Sequence, residues 1–296
     1  CELTLGCHYR VVTRSVRAML GLPECAVGLL PGAGGTQRMP RLVGVKLGLE
    51  VLLEGRNLAG QQALEAGLVH AVVEEGAEVA AAEACLLSDA AHATQPWDVP
   101  GNTPMAHADY AAAIRAHRAR ELARMLGHEP APLAILDCVE LGLMQPIDGA
   151  IRSEMAVFAR LIQRPEPRNM IRTMFLGKQA ADKARRGGGT GPMVETALVE
   201  ATAAIEAAVA ACPDLRKAGF SGGKGVTAPV QAVVGEDFWF RSQPGLRAAI
   251  DGLAVRLGAL AANLSDEQLL QLDHLICVQG SIPAYAGGLS GLRAVD

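Results

Sequence analysis

A glycine-rich loop near the start of the chain limits its architecture more than any other stretch. It reads Val27-Gly28-Leu29-Leu30-Pro31-Gly32-Ala33-Gly34-Gly35-Thr36, with a Gly21-Leu22-Pro23 break ahead of it and a helical pattern running through Leu42 to Leu53 behind it. Glycines let the backbone approach a ligand closely, and the amides that open the next helix attract anions. No Gly-Lys-Ser/Thr ends the loop, so it is not a P-loop, and its G-x-G-G spacing is not the dinucleotide fingerprint. Read alone, it is a tight structural turn. Two other glycine clusters are weaker still. Gly187-Gly188-Gly189-Thr190-Gly191 follows Arg185-Arg186 rather than an apolar strand, and reads as a flexible linker. Gly222-Gly223-Lys224-Gly225 lacks the strand and the Ser/Thr of a phosphate loop.

Short elements surround the first loop. Residues 9–13 are rich in β-branched side chains and predict a strand. Residues 60–67 predict a short helix, 68–73 a strand and 77–87 an Ala-rich helix; 92–108 read as an irregular connection, 110–126 as a helix, and 128–132 as a break. After Asp148, a plausible N-cap, Ile151, Met155, Phe158 and Ile162 share one helix face. The basic run into glycines at 183–191 reads as the linker to a second part. There the pattern predicts helices over 193–211, at Leu246, Ile250, Leu253, Leu257 and Leu260, and after a capping box at Ser265-Asp266-Glu267-Gln268. Residues 219–244 between them are interrupted by Gly and Pro. No internal repeat is visible. The expected division is 1–186 and 187–296, the latter a helical extension.

Composition excludes several classes. The 296 residues suggest one or two domains, and aromatics make up only 3%, so the core must be built from Ala, Leu, Val and Ile. A net charge of −4 gives no basic field for nucleic acid, so an anionic ligand needs a local cluster of donors. The seven cysteines form no C-x-x-C pair and no zinc spacing; they read as small buried hydrophobes in a reducing, cytoplasmic setting. No run of 18 apolar residues predicts a membrane span. The first residue is Cys, with no signal-peptide pattern, and the N-terminus reads as cut.

Chemistry rests first on Glu2 and Glu24. Either one alone reads as a solvated surface group. Each, however, sits in an apolar stretch, Glu2 before Leu3-Thr4-Leu5 and Glu24 between Pro23 and Cys25-Ala26-Val27. Poor solvation raises a carboxyl pKa and fits it for acid–base work, and two such groups can divide the roles. His8 lacks a second metal ligand and reads as structural. Trp97, Trp239 and Phe240 read as packing residues.

Together these pieces resemble the crotonase (enoyl-CoA hydratase/isomerase) superfamily. The motifs are residues 1–11 (CELTLGCHYRV), Gly21-Leu22-Pro23-Glu24, Gly28 to Arg38, and Ala63-Leu64-Glu65-Ala66-Gly67-Leu68-Val69. Within that superfamily the wording is most similar to the hydratase portion of the bacterial bifunctional fatty-acid oxidation enzyme, its alpha subunit. Gln95-Pro96-Trp97-Asp98 and Arg168-Asn169-Met170-Ile171-Arg172-Thr173 fit that branch, and the likeness spans residues 1–186.

The resemblance implies an α/β crotonase-type (ββα spiral) fold lacking its N-terminal strands, with a mainly helical C-terminal extension. It implies hydration of a trans-2-enoyl-CoA to a 3-hydroxyacyl-CoA in fatty-acid β-oxidation. Glu2 would activate the water and Glu24 exchange a proton at the α-carbon, with Pro31 and Gly32 on the substrate side. The implied substrate is an acyl-CoA, with no metal or redox cofactor. Implied partners are a second copy of the chain or a thiolase-type beta subunit, not nucleic acid. The family's oxyanion-hole amides fall before Cys1, so the chain by itself is expected to be inactive. NAD binding is not expected, because no dehydrogenase strand and Gly-x-Gly loop follow residue 187; only residues 282–288 bear a faint likeness to that enzyme's closing segment. The alternatives are a Δ3-Δ2 enoyl-CoA isomerase and a non-catalytic, partner-binding fragment.

Overall fold

A computed structural model of the chain describes residues 1–88, 94–99, 104–125, 129–218, 220 and 244–279. The expectations for residues 222–225, 239–240 and 282–288 lie outside these, as does most of the stretch 219–244. Contacts divide the chain into two units, Cys1–Ala119 with Ala131–Leu161, and Arg120–Pro130 with Ile162–Asp296.

Among the described residues the first unit holds four strands, β1 (Val11–Thr13), β2 (Met19–Leu20), β3 (Leu58–Ala59) and β4 (Ala71–Val73). β1 and β4 run parallel, with Val11 opposite Ala71 and Thr13 opposite Val73; β2 and β3 are antiparallel, with Met19 opposite Ala59. The parallel pair is built from the β-branched residues that pack well on a pleated surface. Helices α1 (Glu2–Leu5), α2 (Gly35–Val43), α3 (Val45–Glu54), α4 (Gly60–Glu65) and α5 (Glu78–Leu86) complete this segment. The single helix expected through Leu42 to Leu53 is two, because Gly44 takes φ 82 and ψ 159 and turns the chain. α3 then lies so close to α2 that a Cβ on Gly48 would stand 2.9 Å from Pro40 Cα. Helices α6 (His107–Met125, in this unit through Ala119), α7 (Pro130–Gly142) and α8 (Ile147–Leu161) follow. The core is aliphatic, as the composition requires, with Leu22, Leu30, Met39, Leu52, Ile135 and Leu136 at 1% exposure or less. Burial of each such side chain is worth about 1.5–3 kcal/mol.

On α8 the structure corrects the sequence reading. Asp148 is the second residue of the helix rather than its cap. Met155 and Ile162 are exposed, Ile151 and Phe158 half-buried, and the inward residues are Ala150, Glu154 and Leu161.

The second unit is helical among the described residues: α9 (Pro165–Met170), a π-helix over Ile171–Leu176, α10 (Gly177–Arg186), α11 (Pro192–Ala211), α12 (Pro244–Ala261) and α13 (Asp266–Val278). The basic run at 183–186 is the last turn of α10, where cations oppose the helix dipole, and Lys183 pairs with Glu267 at 2.9 Å. Only the glycines after it form a turn. α13 opens with the expected capping box: the Gln268 amide donates to Ser265 Oγ at 3.3 Å and the Ser265 amide to Gln268 Oε1 at 2.9 Å. Ile250, Leu253 and Leu257 of α12 face this unit's core, as their spacing predicts. Among the described residues no helix is long and apolar enough to cross a membrane.

Candidate active site

Four successive backbone N–H groups at the start of α2 define the site. The Ala33 and Gly35 amides donate to Glu2 Oε1 at 2.8 and 2.7 Å. The two between and after them turn to another carboxylate: Gly34 N–H donates to Glu154 Oε1 at 2.7 Å and Thr36 N–H to Glu154 Oε2 at 3.0 Å. The Thr36 hydroxyl also donates to Glu154 Oε2. The loop makes this possible through its glycines. Gly34 has φ 93, a conformation that L side chains rarely adopt, and a Cβ on Gly35 would stand 2.6 Å from Pro31 Cβ and 2.8 Å from Glu2 Oε1. Helix ends leave such N–H groups unpaired, and carboxylates there also meet the positive end of the helix dipole.

Glu2 is held in place from its own side of the chain. Leu5 anchors α1 in the core. The Gln95 side-chain amide donates to Gly6 O at 3.1 Å, and Arg10 Nη1 donates to Cys7 O at 2.7 Å. Arg10 is itself buried and donates from Nε to Leu68 O at 2.6 Å, tying the turn after α1 to the segment that leads into β4. Burial lowers its guanidinium pKa from the ordinary value, opposed by the Cys7 charge.

Glu24 opens a 3-10 helix over Glu24–Val27, directly after Pro23. Its Oε2 is buried with no hydrogen-bond partner among the described residues. Burial pushes its carboxyl pKa up, and the nearby Glu2 charge adds to the rise. Glu154 is pushed up for the same leading reason, its burial, with the Glu2 charge again adding and its loop donors opposing. Glu2 is thus the charge that both other carboxyls feel.

Pro31 is buried, and Gly32 is half-buried with the Phe158 ring against it: a Cβ there would stand 3.0 Å from Phe158 Cδ2. Glu2, Glu24, Pro31 and Gly32 are therefore gathered around one loop. Behind it, Gln37 Nε2 donates to Thr36 Oγ1 at 2.9 Å and to Cys138 O at 2.8 Å, which leaves the Thr36 hydrogen for Glu154. The Cys138 thiol is pushed up to about 12 by its burial and stays protonated. Arg10, Gln37 and Gln95 lie in the motifs quoted for the resemblance but were assigned no role, and Glu154 was not singled out at all. Glu154 follows Arg152 and Ser153 and precedes Met155-Ala156-Val157-Phe158, and nothing in that wording marks it as inward-facing.

Residues 1–97 match the family model described as enoyl-CoA hydratase/isomerase. That segment is similar to enoyl-CoA hydratase/isomerase sequence. The matched residues include Glu2, Glu24 and the whole glycine loop, so the crotonase resemblance and its α/β fold class hold for that stretch, whereas Glu154 lies beyond it. Solved structures similar to the chain include a carnitinyl-CoA dehydratase from Mycobacterium avium 104, at 22% identity over 58% of this chain and 54% of that one, with a TM-score of 0.35. An enoyl-CoA hydratase from Geobacillus kaustophilus HTA426 is 24% identical over 58% of this chain and 52% of that one, with a TM-score of 0.27. DspI of Pseudomonas aeruginosa is 25% identical over 58% and 52%, with a TM-score of 0.28. The chain thus spans about half the length of these structures.

Proposed function

We propose that the site adds water across the double bond of a trans-2-enoyl-CoA, giving a 3-hydroxyacyl-CoA of the kind formed in fatty-acid β-oxidation. The observation that carries this reading is the unequal pair of carboxyls. Glu2 is fixed by two amides, whereas Glu24 is partly desolvated, has an unpartnered oxygen and a raised proton affinity. An acid and a base are what the addition requires. Glu2 takes a proton from water as its oxygen bonds to the β-carbon, the electron pair shifts toward the thioester, and Glu24 delivers a proton to the α-carbon. Glu24 is suited to the second task because a carboxyl kept protonated closer to neutrality is a competent donor. Pro31 and Gly32 line the substrate side in this reading.

The test follows loss of the conjugated-enoyl absorbance of a short trans-2-enoyl-CoA. It uses this chain and, alongside, the chain extended by any residues encoded ahead of Cys1. Glu2→Gln and Glu24→Gln are each expected to lower kcat by about 10²- to 10⁴-fold. A 3-enoyl-CoA run in parallel detects isomerisation, which needs proton exchange at carbon but no activated water. Glu2→Gln that stops both reactions equally, or a protein that isomerises and never hydrates, overturns the hydratase assignment. Failure of either form to act on either substrate points to a partner-binding role instead.

A further inference from the structure

We infer that Glu154 is a positioning residue for the reaction: by holding the Gly34 and Thr36 amides it fixes the alternate amides, Ala33 and Gly35, on the Glu2 carboxylate. This deepens the hydratase reading and rests on it for its kinetic consequence. Its structural consequence can be measured whether or not the protein hydrates anything.

Helix α2 has Gly34 as its N-cap. A glycine has no side chain with which to satisfy the amides of the first turn, so the acceptor must come from elsewhere. It comes from α8, 120 residues further along the chain, as a side chain that is 0% exposed. Such a carboxylate is costly to bury, and it is retained only where several donors meet it. Here three do: the Gly34 amide, the Thr36 amide and the Thr36 hydroxyl. The hydroxyl is oriented in turn, because Gln37 Nε2 donates to its oxygen at 2.9 Å.

Register then links the two carboxylates. Residues 33 and 35 donate to Glu2, while 34 and 36 donate to Glu154. Successive peptide planes in one turn cannot rotate independently. The plane that aims the Gly34 N–H at Glu154 shares its neighbouring α-carbons with the planes that aim the Ala33 and Gly35 N–H groups at Glu2. Movement of the loop on the Glu154 side therefore moves the donors on the Glu2 side. A simple helix cap would not do this. It would satisfy Gly34 and Thr36 and leave Glu2 to find its own donors.

Glu154→Gln discriminates between the two roles. One carboxylate oxygen becomes an NH2 group, so either Gly34 or Thr36 faces a donor instead of an acceptor. Amide hydrogen exchange is read by NMR on the full chain at Ala33 and Gly35, whose N–H groups donate to Glu2 rather than to Glu154. These two amides are expected to exchange about 10- to 100-fold faster in the variant, the scale of losing a charge-assisted hydrogen bond. Thr36→Val, which keeps the carboxylate and removes only the hydroxyl, is expected to speed them about tenfold, and Thr36→Ser, which restores the hydroxyl, to return them close to the parent rate. In the hydration assay Glu154→Gln is expected to lower kcat about 100-fold, as misplacement by about 1 Å does, with KM little changed. Faster exchange confined to Gly34 and Thr36, with Ala33 and Gly35 at parent rates, overturns the inference and leaves Glu154 as a cap. If Glu154→Gln does not fold, the Thr36→Val and Thr36→Ser pair decides alone. If no form of the protein hydrates an enoyl-CoA, the proposed function fails while the exchange result still stands or falls by itself.

Discussion

Glu24 is the residue whose ionisation is most readily seen from outside the site. Its carboxyl is pushed above the ordinary value of 4.5 by burial and by the Glu2 charge. The folded state then holds a proton that the unfolded chain has already released. Such a group stabilises the fold fully below the unfolded pKa, and that contribution is lost as pH rises through the folded pKa. Glu24→Gln removes the charge, so it is expected to flatten the fall in stability between the ordinary carboxylate range and neutrality, and to leave the variant more stable than the parent at neutral pH. Urea midpoints measured by circular dichroism across that range check this; a difference between variant and parent that is the same at acid and neutral pH sinks it. Stability and catalysis are then opposed at one side chain, as is common where a site needs a poorly solvated carboxyl. Glu2 and Glu24 could be picked from the sequence because both lie in short motifs with fixed wording. Glu154 could not, for a physical reason. Its partners are some 118 to 120 residues away, and a periodicity argument counts any charged residue as outward-facing. The spacing of Ile151, Met155, Phe158 and Ile162 is helical, but Met155 and Ile162 are exposed, and the helix faces inward with Ala150, Glu154 and Leu161.

At the scale of elements, the readings that survived are those with a local cause. The capping box at Ser265 is a contact between residues three apart, and it formed where the sequence placed it. The turn after Gly21-Leu22-Pro23 is equally local. The π-helix at Ile171–Leu176 was not legible. Its wider turn lies against α13: His274 Nδ1 is 3.0 Å from Thr173 O, and a Cβ on Gly177 would stand 2.7 Å from Leu270 O. No spacing in residues 171–176 encodes a contact made a hundred residues later. The local cap gives the clearest element-scale prediction. Ser265→Ala removes the acceptor for the Gln268 amide and is expected to cost about 1 kcal/mol. The loss is expected to appear as faster amide exchange in the first turn of α13. Unchanged exchange there would mean that packing of Leu269, Leu272 and Ile276, rather than the cap, holds the start of that helix.

On the scale of the whole molecule, the scarcity of aromatics determines how each buried cluster is made. The first unit's cluster fills with Leu, Ile, Val and Met around Tyr110, and the second's with Ala, Leu, Ile and Val around Phe220. Large flat rings bury much area at few positions, whereas aliphatic side chains must interlock at many, so each position matters more than its size suggests. Leu136 in α7 and Leu253 in α12 are both 0% exposed. Truncating either to Ala removes buried methyl groups and leaves a hole that rigid neighbours fill only partly, at an expected cost of about 2–5 kcal/mol. Leu260 lies on the same stripe of α12 as Leu253 but is only partly buried, so Leu260→Ala is expected to cost distinctly less. The ordering Leu253→Ala above Leu260→Ala, and both Leu136→Ala and Leu253→Ala above Ser265→Ala, is read from urea unfolding followed by circular dichroism. Amide exchange adds the location: Leu136→Ala is expected to loosen α7, and Leu253→Ala to loosen α11 and α12. Equal costs for Leu253→Ala and Leu260→Ala would show that the α12 cluster closes over the missing side chain, and that its packing is softer than the interlocking of aliphatic groups requires.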